Sequence, residues 1–305
     1  MKGGMGILLG LLLIAPFLLP VPETLQRQLL FRALGNQLHV ILFVGLTLLL
    51  HARGPLRGRL LPAVAAAVLI GGAVEVAQSL TQRHPRWVDF SLDLVGIALA
   101  ACWIRWRGQG SRPALVLGLC LLLVFPVRLH NLPWRLAAER EAGKRFPLLA
   151  DFETSLERHL WEDTHGGRIS FPHVAGRGRV LRLQGGPPDG YPGTELRGFP
   201  GDWSTHDRLE GLARAPAVAG DSLKLCLRLA DYHGRLAADW TVSRFWIGAQ
   251  WQKCEVDLKS LVTANGGEML QLDDLVEFVI YVPVPVDTFT VELDDWRLVS
   301  VQQTR

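Results

Sequence analysis

Ser222-Leu-Lys-Leu-Cys-Leu-Arg-Leu229 places leucine at positions 223, 225, 227 and 229, with Lys224, Cys226 and Arg228 between them. A period of two puts the four leucines on one face of an extended strand and the polar side chains on the other. The same alternation returns in Arg179-Val-Leu-Arg-Leu-Gln184, Cys254-Glu-Val-Asp-Leu258, Val276-Glu-Phe-Val-Ile-Tyr-Val282 and Phe289-Thr-Val-Glu-Leu293, separated by Gly, Pro and Asp clusters. Short alternating segments with such breaks predict an all-β antiparallel sandwich of jelly-roll type over residues 148–305, one face of each strand lying in the core.

Towards the N-terminus the pattern changes. Apolar runs cover Gly3–Pro22, Ala33–Ala52, Leu60–Gln82, Val88–Ile104 and Pro113–Val127, close to the roughly 20 residues that cross a bilayer as a helix. The first run ends in Pro20-Val-Pro22-Glu23 without a small-x-small cleavage site and is expected to be retained. The expected fold is therefore multi-domain: an α-helical transmembrane bundle of about five spans in 1–134, a polar linker at 135–147, and the β-sandwich. Charge divides the same way, with twelve Lys/Arg against four Asp/Glu from Met1 to Trp134, and twenty against twenty-five beyond. Seven basic residues in the loops on one side of the spans against four on the other place the N-terminus in the cytoplasm and the sandwich outside it, as expected of a multi-pass bacterial inner-membrane protein.

Ionisable residues inside apolar spans are costly enough to need a reason. Glu75, Gln78 and Gln82 share one helix face by their spacing. Asp89, Asp93 and Gly96 share a face of the next helix, across a basic turn that holds Arg83, His84 and Arg86. Counting back from the turn puts Glu75 and Asp93 at similar depth, with the arginines placed to neutralise them. A headgroup-level pocket for an anionic ligand and a polar zipper that fixes helix register are the two readings of this set. Glu75-x-x-Gln78, the basic turn, Asp89, Asp93 and Gly96 resemble the pattern of the VanZ-like family of small membrane proteins, with Asp93 where that family usually has Asn. The resemblance implies an envelope location and a link to glycopeptide resistance, and does not imply a defined reaction.

In the second half, Leu149-Ala-Asp151-Phe152-Glu153 opens the sandwich and Leu293-Asp294-Asp295-Trp296-Arg297-Leu298 closes it. This order resembles carbohydrate-binding-module and galactose-binding-like jelly rolls. The resemblance implies that first and last strands lie together and that Glu153 and Asp295, with Asp151 or Asp294, hold a structural calcium ion; turn hydrogen bonds by the same acids are the competing reading. No other cofactor is expected. Aromatic rings flanked by polar side chains bind sugars by stacking, and Tyr191, Trp240 and Trp251 are the expected ligand-binding rings, while Trp203 is expected in the core. Cys226 and Cys254 either pair or stay as separate buried thiols.

Four cysteines without a C-x-x-C pair exclude a disulfide scaffold or zinc ribbon, and the chain has no P-loop, Gly-x-Ser-x-Gly or kinase pattern. Expected partners are the bilayer and a glycan, cell-wall precursor or envelope protein, with no nucleic acid. No nucleophile or metal set accompanies Glu75, so a non-enzymatic glycan-binding membrane protein is the leading expectation. A membrane enzyme acting on a lipid-linked glycan, or a scaffold whose sandwich docks a protein, are the alternatives.

Overall fold

The computed structural model describes residues 29–53, 56–80, 87–187, 190–217, 222–231, 239–264, 267–285 and 287–300. It divides into two compact units, Met1–Leu132 and Pro133–Arg305.

In the first unit, α1 (Leu29–Ala52), α2 (Leu60–Leu80) and α3 (Trp87–Gln109) are followed by α4 (Arg112–Leu122) and α5 (Val124–Leu129). Phe43 and Leu46 of α1, Ala67 and Val74 of α2 and Ile97 of α3 make a small shared core. The five-span bundle expected from the apolar runs does not hold. Among the described residues, two helical stretches are long and apolar enough to cross a membrane, Leu60–Ala77 and one within Arg112–Arg145. Among the described residues the apolar part of α1 that meets the same test of composition is the shorter Gln37–Ala52, and α3 carries Asp89, Asp93, Arg105 and Arg107. An apolar run thus predicts a helix, while length and charge decide separately whether that helix meets the requirements of a span. The run Gly3–Pro22 lies outside the described residues.

The second unit opens with α6 (Leu132–Arg145), where the sequence suggested a linker. α6 belongs to the sandwich: Ala138 is part of its core, and Arg145 pairs with Asp151 and Glu157. The strands are β1 (Leu148–Ala150), β2 (Trp161–Thr164), β3 (Arg168–Ser170), β4 (His173–Val174), β5 (Gly178–Arg179), β6 (Leu181–Gly185), β7 (Gly193–Leu196), β8 (Arg208–Arg214), β9 (Leu223–Asp231), β10 (Asp239–Ile247), β11 (Gln252–Asp257), β12 (Leu275–Tyr281) and β13 (Phe289–Val299). Two antiparallel sheets form. One runs β11-β8-β13-β6-β3 with β1 also on β13, the other β10-β9-β12-β7-β2, and β4 pairs with β5 as a separate hairpin. First and last strands do lie together, Leu148 opposite Arg297 and Ala150 opposite Trp296.

Leu225, Leu227 and Leu229 face inward and are fully buried, as the alternation requires. Phe278 sits at the centre of the core, its ring 5.9 Å from Trp161, 6.1 Å from Trp203 and 5.8 Å from Trp296. Trp296 fits only because Gly211 on the neighbouring strand has no side chain: a Cβ there would lie 2.3 Å from the indole.

Candidate functional site

Because the leucine face of β9 is buried, Lys224, Cys226, Arg228 and Ala230 point the other way. Residues opposite one another in an antiparallel pair share a face, so the register fixes what the outside of the five-stranded sheet carries. One row reads Trp240–Ala230–Glu277, the next Val242–Arg228–Val279–Glu195–Glu162, the third Arg244–Cys226–Tyr281–Gly193–Thr164, and the last Trp246–Lys224. Trp246 is 65% exposed and Trp240 37%. Tyr191, at the start of the β7 segment and 52% exposed, sets its ring edge-on to Tyr281 with centroids 5.8 Å apart. Gly193 keeps the sheet open beside Tyr281, since a Cβ there would lie 2.7 Å from the tyrosine Cβ.

Charged side chains surround these rings. Arg228 donates to Glu277 through Nε at 2.7 Å, Arg197 pairs with Glu195 at 2.5 Å, and Arg135 of α6 reaches Glu162 at 2.5 Å. Cys226 and Tyr281 are hydrogen-bonded, and burial first, then the thiol beside it, push the phenol above its ordinary range. The face thus combines exposed flat rings with oriented donors and acceptors, the chemistry that binds the faces and hydroxyls of sugars.

The outside of the other sheet differs. Glu292 accepts from Arg182 at 3.0 Å and from Arg214 at 2.6 Å, Lys253 pairs with Glu210 at 2.7 Å, and Arg208 with Glu255 at 2.9 Å. These charges are matched to one another, while among the described residues Arg168 on β3 and Arg297 on β13 are exposed without an ion pair, and no exposed tryptophan lies among them in the described residues.

The expected binding rings therefore part company. Tyr191 and Trp240 belong to the five-stranded face; Trp251 follows β10 and lies between two guanidinium groups, Arg177 at 5.2 Å and Arg214 at 4.8 Å from its centroid. Trp246 and Tyr281 join the face although the sequence reading did not single them out as ligand-binding. The signal was present in the alternation of β10 and β12, but which face is outside depends on the partner strand. Trp203 is fully buried, its Nε1 donating to the Pro200 carbonyl at 2.6 Å.

Glu153 and Asp295 are taken by different partners, the Arg179 amide and the Arg177 guanidinium. Arg177 Nη1 donates to Asp295 Oδ2 at 3.1 Å and lies 3.5 Å from Asp294 Oδ2. Glu153 Oε1 accepts from the Arg179 amide at 3.0 Å and rests on Gly178, whose φ of +86° and missing Cβ make room for it. Asp151 is taken up by Arg145. With the acids committed in this way the set does not fit a calcium ion, and no group of three metal-ligating side chains occurs among the described residues. Asp294 is buried; desolvation, with Asp295 next, pushes its carboxyl up to about 6. Cys226 and Cys254 are both free: Cys226 faces outward on one sheet and Cys254 inward on the other, where burial pushes its thiol up to about 12.

In the helical unit, Asp93 is completely buried and its Oδ1 lies 2.9 Å from Nδ1 of His39 on α1. The other carboxylate oxygen of Asp93 faces Gly71 of α2, 3.4 Å from where a Cβ would stand, and Glu75 is buried one turn further along α2. Gly96 admits α1: a Cβ would lie 2.5 Å from the Val40 carbonyl oxygen. Asp89 is half-buried. The side chain of Gln78, and all of Arg83, His84 and Arg86, lie outside the described residues. His39 was missed by sequence reading, although a histidine within an apolar run is itself a signal.

No protein-family model matches the chain, and no curated protein matches it. Among solved structures it is similar to the family 11 carbohydrate-binding module of the cellulosomal cellulase Lic26A-Cel5E of Clostridium thermocellum, with 20% identity over 50% of this chain and 94% of that one, at a TM-score of 0.40. It is also similar to the family 30 carbohydrate-binding module of Cel9D-Cel44B of Clostridium thermocellum, 14% identical over 47% of this chain and 93% of that one, TM-score 0.39. The CBM22-1 xylan-binding domain of Paenibacillus barcinonensis Xyn10C is 14% identical over 50% of this chain and 92% of that one, TM-score 0.35.

Proposed function

We propose that the β-sandwich binds a glycan along the outward face of its five-stranded sheet, without chemistry of its own. The observation that carries this is the placement of the exposed Trp240, Trp246 and Tyr191, with Tyr281 beside Tyr191, on one outward sheet face, among side chains already oriented by ion pairs. Rings held by a sheet need little ordering when a sugar stacks on them, which keeps the entropic cost of binding low. Arg177, from the turn between β4 and β5, is the cation that holds Asp294 and Asp295 of the last strand.

The helical unit supplies attachment to a membrane in this reading. Leu61, Leu69 and Val76 on α2 and Val116, Leu119, Leu123 and Val127 on α4, α5 and the residue between them are all exposed, and so many exposed apolar side chains call for lipid or a partner. The reading places the sandwich on the extracytoplasmic side because envelope glycans are there.

The test uses the full-length protein in detergent and immobilised soluble polysaccharides. Binding is expected for the wild type and lost for the Trp240→Ala/Trp246→Ala double variant at unchanged thermal stability, because both rings are exposed. Wild-type protein that retains no polysaccharide would overturn the reading.

A further inference from the structure

We infer that the glycan is anionic, carrying carboxylate or sulfate groups, and that Lys224 and Arg244 beside Trp246 read that charge; this rests on the glycan-binding reading of the same face. The ion pairs of the face differ from one end to the other. Near Trp240, Arg228 is neutralised by Glu277, and towards the β2 edge Arg197 and Arg135 are neutralised by Glu195 and Glu162. At the Trp246 end, Lys224 lies directly across from the tryptophan and Arg244 lies two residues before it on the same strand face. Among the described residues neither forms an ion pair. Arg244 lies directly across from Cys226 in the row that continues to Tyr281, and Lys224 lies two residues before Cys226 on the same strand face. The two free cations therefore converge on the stretch of face between Trp246 and Tyr281.

Two features make this a selective arrangement. The opposite sheet carries comparable numbers of Lys and Arg and pairs several of them, as with Lys253 to Glu210 and Arg208 to Glu255. Its unpaired arginines, Arg168 and Arg297, have no exposed tryptophan beside them among the described residues, so unpaired cations next to an exposed tryptophan are particular to the aromatic face. The chain beyond Trp134 has five more acidic than basic residues, so polyanions are not drawn to this domain by net charge, and a local site must overcome the repulsion. A sugar ring stacked on Trp246 would hold its acidic substituent over Lys224 and Arg244. The guanidinium offers a planar fork and the ammonium a point charge, which together suit a carboxylate or a sulfate ester. The Trp240 end, with its self-satisfied Arg228–Glu277 pair, suits neutral hydroxyls.

The experiment measures binding of full-length protein in detergent to three probes: polygalacturonate, a sulfated galactan, and a neutral mixed-linkage β-glucan. The wild type, the Lys224→Gln/Arg244→Gln variant, and a Lys253→Gln/Arg208→Gln control that removes the same charge from the other sheet are compared. One of the anionic probes is expected to bind at least tenfold more tightly than the neutral one. The Lys224/Arg244 variant is expected to lose about tenfold for it, two exposed charge-assisted contacts at roughly fivefold or less each, while the control changes less than twofold. Which anionic probe wins tells carboxylate from sulfate. Equal binding of neutral and anionic probes, unmoved by the Lys224/Arg244 variant, overturns the inference and leaves the glycan reading standing. No binding of any probe removes the glycan reading itself. Binding to phosphatidylglycerol vesicles that competes with the polysaccharide and is lost in the same variant also overturns it, in favour of a membrane-surface role for the face.

Discussion

Replacing Asp294 by Asn isolates the electrostatic tension where the sandwich closes. Asp294 is 3% exposed, beside Asp295 and near Glu153, with Arg177 at 3.5 Å its nearest cation. Burial, with Asp295 second, lifts its carboxyl from an ordinary 3.8 to about 6. A carboxyl whose folded value is raised binds its proton more tightly in the folded than in the unfolded chain, so its ionisation opposes folding. That cost is absent below about pH 4, grows as pH rises through 6, and is fully present at pH 7. About two pK units correspond to about 3 kcal/mol. Asn keeps an Oδ1 to accept the Asp295 amide, which Asp294 now accepts at 2.9 Å, and removes the charge. The unfolding free energy of the sandwich, followed by tryptophan fluorescence in urea, is therefore expected to exceed that of the wild type by about 2–3 kcal/mol at pH 7.5, and the difference is expected to shrink towards zero by pH 4. Glu157, also raised by burial, and Asp151, held low by Arg145, titrate equally in both proteins and cancel in the difference. An Asn variant less stable than wild type at pH 7.5, or a difference that does not change with pH, would refute the reasoning.

Other consequences follow from the same geometry. Gly211→Ala places a Cβ against the Trp296 indole and is expected to cost about 1–3 kcal/mol, seen as a lower urea midpoint at unchanged m-value; an unchanged midpoint would show that the ring moves freely. Arg177→Met leaves Asp294 and Asp295 without their shared cation and frees one face of Trp251; a loss of about 1–3 kcal/mol is expected, while EDTA leaves the melting temperature of the wild type where it was. A wild-type melting temperature that falls in EDTA and returns with calcium would show that a metal ion, not Arg177, holds this corner.

The strands were legible in the sequence because a half-buried strand writes its own period: Leu225, Leu227 and Leu229 are buried where the alternation puts them. The pairing of first and last strand was legible only through a resemblance, since nothing local links Ala150 to Trp296. The spans were overcounted because hydropathy marks where a helix forms, not what surrounds it. α3 has the length of a span, but Asp93 inside it is turned to His39 of α1, a contact across 54 residues that no local pattern announces. The binding face was half legible. Trp240 and Trp251 look alike in sequence, polar-flanked and near strand ends, yet one stands on a sheet face and the other between Arg177 and Arg214. The difference is set by register and by which sheet each strand joins. Both are long-range properties, as is the neutralisation that leaves Lys224 and Arg244 free while Lys253 and Arg208 are matched.

The central claim is that ligand lies on the outward face of the five-stranded sheet. Hydroxyl-radical footprinting of the full-length protein, with and without a saturating bound polysaccharide, tests it most directly. Protection of Trp240, Trp246 and Tyr191, with Trp251 and Met269 oxidised equally in both states, is the predicted pattern. Protection of Trp251 with Trp240 and Trp246 unchanged would contradict the account.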